Sequence, residues 1–126
     1  MNGVEEARVG DALPLSVDVR ERPEDTVVVV SGELDFGTTP RLLAVAEPLA
    51  AAGGPLVLDL ADLTFCDSSA LSALVRLHKV TRAAGGALVL ASLRPQVRSA
   101  ITMTSLDRLL TIVDQVPAGP EENHRS

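Results

Sequence analysis

The chain has 126 residues and 46% of them are apolar, which is enough for one compact domain with a sizeable core. That core must be aliphatic, because the sequence contains two Phe and neither Tyr nor Trp. The net charge of -6 argues against a nucleic-acid surface, which needs clustered Lys and Arg, and against docking on anionic lipid.

Other features of the whole chain predict a soluble protein of a reducing compartment. The N-terminal residues MNGVEEARVG carry acids where a signal peptide carries bases. The apolar residues 42–52 are too few to span a bilayer, and Glu47 and Pro48 interrupt them. The single cysteine, Cys66, has no internal disulfide partner. We therefore expect a cytoplasmic protein with no membrane partner.

Two strands are predicted to follow a flexible N-terminal extension over residues 1–12. Residues 13–19 alternate apolar and polar, which is typical of a half-buried strand. After a turn over residues 20–25, the β-branched run at 26–31 is typical of a buried strand. The sequence GELD at residues 32–35 is expected to end that strand.

The rest of the chain alternates between predicted helices and strands. Thr38 or Thr39 caps a first helix with Pro40 in its first turn, and this helix is predicted to run to about Ala52, where Gly53-Gly54 stops it. Pro48 lies inside it and is expected to kink or shorten it. The later elements are a strand at 56–60, a helix at 69–84, a strand at 87–91, a helix from 95 to 103 or 104, a strand at 109–113 and a disordered tail at 116–126. The order β-β-α-β-α-β-α-β predicts a single α/β domain over residues 13–115, with helices packed on a mixed sheet of four to five strands.

The segment with the most chemical content is Asp67-Ser68-Ser69, which leads from a loop into the first turn of an amphipathic helix. Backbone N–H groups there have no intrahelical acceptor, and the helix dipole favours a negative group. A phosphate on Ser68 or Ser69 would therefore be tolerated, which suggests a reversible phosphorylation switch. The alternative is an ordinary helix cap, because Ser and Asp are leading N-cap residues. The two interpretations are compatible.

The helix after these serines has two distinct faces. Its predicted apolar stripe consists of Ala70, Ala73, Leu74, Leu77, Val80 and Ala84. Its other face carries Ser69, Ser72, Arg76 and Lys79. That face is either simply solvated or a docking surface that a partner approaches closely at the small serines.

Catalysis is poorly supported by the sequence. There is no nucleophile elbow and no phosphate-binding glycine loop, and Cys and His are too few for a zinc site. His78 follows Ser68 by ten residues on one predicted helix, about 15 Å away, so it is out of reach as a general base. We expect no enzymatic activity, no metal and no cofactor.

Three further residues have both a structural and a functional interpretation. Cys66 is better explained as a small buried hydrophobe than as a reactive thiol. Asp59 could suggest the phospho-accepting aspartate of a response-regulator receiver, but the only lysine, Lys79, lies inside a helix and not after a late strand. Asp35 follows the second strand, where it is equally well a turn residue or a residue that faces a ligand.

Two motifs at a defined separation resemble the STAS domain of bacterial anti-sigma factor antagonists. They are GELD at residues 32–35 and the pattern D-L-x-x-L-x-F-x-D-S-S-x-L at residues 59–71. The segments RPQV at 94–97 and MTSL at 103–106 also fit, so the resemblance covers about residues 13–115. Ala70, Ser72 and Ser105 depart from it, because the family commonly has glycine at these positions.

The resemblance implies a partner-switching role. The unphosphorylated protein would bind an anti-sigma factor that is also a serine kinase, and thereby free a sigma factor. The kinase would phosphorylate the serine after the motif aspartate, here Ser68, with Ser69 as second candidate, and a separate metal-dependent serine phosphatase would reset it. We assign the partner-binding surface to Asp35, Asp67, Ser69, Ser72 and Arg76.

Three other functions are compatible with parts of the sequence. The chain could be a STAS scaffold or ligand-binding module that is never phosphorylated and works in a larger signalling complex. It could be a small enzyme that uses Ser68 or Cys66. It could also be a domain detached from an anion transporter, although a membrane segment is missing from the sequence.

Overall fold

A computed structural model describes residues 14–118, which form six strands, three α-helices and one 3₁₀ turn. In chain order they are β1 (Leu15–Glu21), β2 (Thr26–Leu34), α1 (Thr39–Ala51), β3 (Pro55–Asp59), β4 (Leu63–Cys66), α2 (Ser68–Ala83), β5 (Ala87–Ala91), α3 (Pro95–Met103), the 3₁₀ turn (Leu106–Arg108) and β6 (Thr111–Val113). The predicted extension at residues 1–12 and the tail beyond residue 118 lie outside the described residues.

The strands form one mixed sheet in the order β1-β2-β3-β5-β6, with β4 alongside β2. Strands β1 and β2 are antiparallel, and every other pair is parallel. The predicted single α/β domain with a mixed sheet is confirmed, but the described residues contain six strands instead of four to five. The additional strand is β4, which the sequence does not reveal because it has only four residues and two of them, Thr64 and Phe65, are exposed.

Strand β2 changes its pairing partner from β3 to β4 near Gly32. Strand β2 pairs with β3 over residues 26–29 and with β4 over 32–34, and the register shifts directly after Gly32. Gly32 has a φ of +104°, and a Cβ at this position would collide with the carbonyl oxygen of Pro14. Only glycine fits here. The exchange continues β2 to Leu34 beside β4, three residues beyond the predicted strand end.

The core lies mainly between the sheet and the helices. Its fully buried large side chains are aliphatic: Leu15, Leu34, Leu42, Leu56, Leu58, Leu60, Leu63, Leu74, Leu77, Leu90, Ile101 and Val28. Because side chains alternate along a strand, the smaller cluster of Val27, Val57 and Ala91 packs on the other face of the sheet. Both Phe residues are exposed, Phe36 at 81% and Phe65 at 48%.

Several predicted boundaries were wrong for local reasons. Strand β1 continues to Glu21, and the ion pair between Arg22 and Asp25 closes the turn that follows it. Helix α1, by contrast, ends at Ala51, close to the predicted end near residue 52. Pro48 does not shorten it, because the carbonyl that Pro48 leaves without a donor belongs to the exposed residue Ala44. Residues 109 and 110 precede β6, which begins at Thr111.

We predict that Gly32→Ala destabilises the fold by about 2–3 kcal/mol, because it combines a positive φ with a backbone collision. The matched control is Gly54→Ala, since a Cβ at Gly54 meets nothing within 4 Å. The free energy of unfolding in urea measures both effects. Equal stability of the two variants would contradict the role assigned to Gly32.

Candidate functional site

Strands β2 and β4 end side by side at the carboxyl edge of the sheet. Leu34 pairs with Cys66, and the backbone N–H of Asp67 donates to the carbonyl oxygen of Leu34 at 3.2 Å. Each strand is followed by an aspartate and then by a helix. The loops that lead into α1 and α2 therefore lie next to each other, at the edge where α/β sheets commonly present ligand-facing residues.

Asp67 joins these two loops through its carboxylate. It is the N-cap of α2, and its Oδ1 accepts a hydrogen bond from the N–H of Ala70 at 2.9 Å. Its Oδ2 accepts from the N–H of Phe36, in the loop after β2, at 3.1 Å. One side chain thus caps the helix and holds the neighbouring loop against it.

Asp35 organises the first of the two loops. Its Oδ1 accepts from the N–H groups of Gly37 at 2.9 Å and Thr38 at 3.0 Å. Thr38 occupies the N-cap position of α1, but its hydroxyl makes no capping bond and donates back to the carbonyl of Glu33 at 2.9 Å. The geometry therefore favours the turn interpretation of Asp35.

Ser68 and Ser69 are the first two residues of α2, one position earlier than the predicted start. Neither serine is the cap, because Asp67 holds that position. Ser68 is exposed, Ser69 is half-buried, and neither hydroxyl forms a hydrogen bond within residues 14–118. The helix offers no acceptor to their two amides. The Ser68 hydroxyl is thus accessible and chemically unengaged.

A groove begins at Ser68 and runs between α2 and the segment after α3. Its volume is about 370 Å³, and its walls are Ser68, Leu71, Ser72, Val75, Thr104 and Leu106. Met103, which precedes the lining residue Thr104 in the sequence, is 83% exposed. The exposed apolar residues Phe36 and Met103 were missed by the sequence analysis. The only available signal was an aromatic residue in the otherwise polar loop that follows GELD.

The remaining predicted partner-binding residues extend along α2. Ser72 is exposed one turn beyond Ser68, and exposed Arg76 lies one further turn away. The guanidinium of Arg76 contacts the Glu47 carboxylate of α1 at 2.8 Å, and this hydrogen bond and charge raise the pKa of Arg76. The apolar stripe packs inward as predicted from Ala70 to Leu77, whereas Ala84 is exposed because it lies beyond the helix end.

Ser105 adopts the left-handed conformation, with a φ of +63°, between α3 and the 3₁₀ turn. Glycine suits this position because it adopts a positive φ without a steric penalty. Serine adopts it at a modest conformational cost. Ser105 lies beside the groove, between the lining residues Thr104 and Leu106. Of the other two departures from the resemblance, Ala70 is fully buried and Ser72 is exposed. Of Ala70 and Ser72, only Ser72 therefore adds side-chain bulk on the accessible surface.

The described residues lack the features of a membrane-spanning helix and of a three-ligand metal site. Within residues 14–118, every helix is too short or too polar to traverse a bilayer. In the same part of the chain, no three His, Cys, Asp or Glu side chains converge as metal ligands would.

A model of the STAS domain family matches residues 16–118. The chain belongs to the STAS domain family. The resemblance inferred from GELD and the D-S-S segment is therefore confirmed, and the match covers almost all of the described residues.

One curated protein and one solved structure that the chain resembles are both named anti-sigma factor antagonists. The chain is 31% identical over 100 residues to the anti-sigma-B factor antagonist of Bacillus subtilis, which covers 79% of this chain and 92% of that protein. It matches the crystal structure of an anti-sigma factor antagonist from Mycobacterium paratuberculosis with a TM-score of 0.71 and 25% identity, over 88% of this chain and 92% of the other.

The Bacillus protein SpoIIAA has the same fold in both phosphorylation states. Its unphosphorylated form matches with a TM-score of 0.68 and 21% identity, over 86% of this chain and 93% of the other. Its phosphorylated form matches with a TM-score of 0.64 and 20% identity, over 87% and 97%. Both forms of SpoIIAA thus share the fold of this chain.

We predict that Asp67→Ala costs about 2 kcal/mol of stability, because it removes the helix cap and the bond to the neighbouring loop. Asp67→Asn should cost about half as much, since its amide oxygen still caps Ala70 while its NH₂ group faces the Phe36 N–H. Amide hydrogen exchange separates the two bonds. Phe36 loses protection in both variants, whereas Ala70 loses it only in Asp67→Ala.

The control for this pair is Asp62→Asn, because Asp62 is 71% exposed and lies 3.8 Å from Arg94. It should change stability by less than about 0.5 kcal/mol. Full protection of the Phe36 amide in Asp67→Asn would contradict the joining role of this carboxylate.

We expect the thiol of Cys66 to react slowly in the folded chain. It packs against the main core, and burial, assisted by the charge of Asp67, raises its pKa from 9.0 to about 11. We predict that iodoacetamide at pH 8 alkylates the folded chain about a hundredfold more slowly than the urea-unfolded chain, because the thiolate is the reacting species. Equal rates would contradict this assignment.

The same shift links Cys66 to the pH dependence of stability. Because the folded pKa is raised, ionisation of the thiol favours the unfolded state. The contribution of the neutral thiol is complete below pH 9 and is lost as the pH rises towards 11. Cys66→Ser removes this part of the alkaline destabilisation.

Proposed function

We propose that this protein is an anti-sigma factor antagonist whose binding to its partner is switched off by phosphorylation of Ser68. The names of its relatives support the antagonist role. The observation that carries the switch is the exposed, unengaged hydroxyl of Ser68 at the first position of α2, directly after the fixed Asp67. The proposed location is the cytoplasm, where sigma factors act.

The proposed partner is an anti-sigma factor with serine kinase activity, and a separate serine phosphatase restores the unmodified chain. The kinase transfers the γ-phosphoryl group of ATP to the Ser68 Oγ, so that ADP leaves and the hydroxyl proton passes to a base. Within residues 14–118 the one histidine, His78, lies about 15 Å along the same helix, and both oxygens of the neighbouring Asp67 carboxylate already accept backbone N–H groups. We therefore assign the catalytic base to the kinase.

Phosphorylation would oppose binding without refolding the chain. It adds a charge of about -1.5 to -2 at pH 7, close to the Asp67 carboxylate. The free amides of Ser68 and Ser69 at the helix N-terminus partly stabilise that charge within the chain. A partner surface shaped for a small neutral serine would instead meet bulk, repulsion and desolvation.

The other site residues would shape this surface. Asp35 and Asp67 fix the two loops, and their carboxylates are occupied by backbone N–H groups. Ser72 and Arg76 would contact the partner along α2. Ser69 is the second candidate for phosphorylation, but it is half-buried whereas Ser68 is exposed.

We predict that Ser68→Ala retains wild-type affinity for the kinase, whereas Ser68→Asp and the phosphorylated chain bind about a hundredfold more weakly, a loss of about 3 kcal/mol. Calorimetric titration with the purified kinase, in the presence of a nonhydrolysable ATP analogue, measures these affinities. Mass spectrometry after incubation with kinase and ATP locates the phosphate.

The matched control is Ser99→Asp, which adds the same charge at an exposed serine of α3 and should bind like wild type. Wild-type affinity of the phosphorylated chain would contradict the switch. A kinase that binds tightly but leaves both Ser68 and Ser69 unmodified would favour a STAS scaffold that is not phosphorylated.

A further inference from the structure

Two further depressions lie along α2 beyond the groove beside Ser68. Ser72 and Val75 line the groove and also an adjoining depression with Arg76, Lys79 and Val80. A third depression, lined by His78, Lys79, Arg82 and Leu109, lies near the helix end. We call the surface of α2 that carries these three depressions, from Ser68 to Arg82, the furrow; because α2 rises about 1.5 Å per residue, it is about 21 Å long. That length matches about four turns of a partner helix.

The furrow changes from apolar to cationic along its length. Near Ser68 its walls include Leu71, Val75 and Leu106, whereas exposed Lys79 and Arg82 line its far end. Neither cation has a salt-bridge partner in the described part of the chain. Helix α2 contains no acidic residue, although the whole chain has a net charge of -6. The far end of the furrow is thus positively charged, although the protein as a whole carries a net negative charge.

We propose that this furrow docks an acidic amphipathic segment of the kinase. An apolar side chain of that segment fills the space between Val75 and Leu106, and its acidic side chains meet Lys79 and Arg82. This inference rests on the proposed function and adds the chemistry of the partner surface. Two unpaired cations are too few for a nucleic-acid site, whose affinity depends on many phosphate contacts. They do suit a protein segment, because complementary charges set orientation and association rate.

The first test reverses the charges. We expect Lys79→Glu combined with Arg82→Glu to weaken binding of the purified kinase about tenfold at 0.1 M salt. The difference from wild type should shrink in 1 M salt, because the screening length falls from about 10 Å to about 3 Å. The control, Arg20→Glu combined with Arg98→Glu, makes the same change in net charge on β1 and α3 and should leave affinity within twofold of wild type.

The second test separates shape from charge. Val75→Arg adds a cation but fills the apolar end of the furrow, so it should weaken binding about tenfold although electrostatics alone would strengthen it. The control is Val45→Arg on α1, where Val45 is half-buried like Val75 and does not line the furrow. Circular dichroism and thermal unfolding verify that all variants are folded.

The outcomes distinguish this inference from the proposed function. Wild-type affinity of both furrow variants, with Ser68→Asp still weakened, would overturn the docking surface and leave the switch intact. Tight binding that is insensitive to Ser68→Asp and to phosphorylation would overturn the switch. Equal losses for the charge reversals on α2 and on β1 and α3 would show a general effect of net charge and would also overturn the furrow.

Discussion

The site depends on the two hydrogen bonds that the Asp67 carboxylate accepts. One oxygen caps α2 through the N–H of Ala70, and the other holds the N–H of Phe36 in the neighbouring loop. Because both acceptor atoms are used within the chain, the carboxylate has little freedom to move. The position and orientation of Ser68, the next residue, follow from that constraint. The proposed modification at Ser68 would therefore act on a surface that is already fixed, so that its effect on a partner would be direct.

The arrangement that brings these loops together originates in the sheet. Gly32 allows β2 to leave β3 and pair with β4, so that Leu34 and Cys66 end at one edge. That pairing brings Asp35 and Asp67, the residues that follow β2 and β4, next to each other. The thiol of Cys66 then packs inward at the end of β4, where burial keeps it protonated. The pairing of β2 with β4 and the hydrogen bonds of Asp67 thus fix the position of Ser68.

The sequence allowed the fold class, most elements and the accessible serine to be predicted, because they depend on local patterns. Strand 87–91 and the helix from Pro95 to Met103 follow from periodicity and from glycine and proline signals. Strand β4 was not predictable, because its stability comes from pairing with β2 and not from its own four residues. The same holds for the bond between Asp67 and Phe36, which joins residues 31 positions apart. Local sequence patterns carry no information about which distant residues will pair.

The two aromatic side chains give the site a further physical feature. In a chain whose described core is aliphatic, both Phe residues are exposed, and both lie near Asp67: Phe36 through its backbone hydrogen bond and Phe65 two residues earlier in β4. Exposed aromatic side chains lose the free energy that burial in the core would provide. Large apolar residues of this kind are enriched at the centres of protein interfaces. Leu71, Val75 and Leu106 add apolar groove walls beside Ser68 that a partner would cover. A phosphate on Ser68 would keep its water only if the partner stayed away, which is the physical basis on which the proposed modification would decide between binding and release.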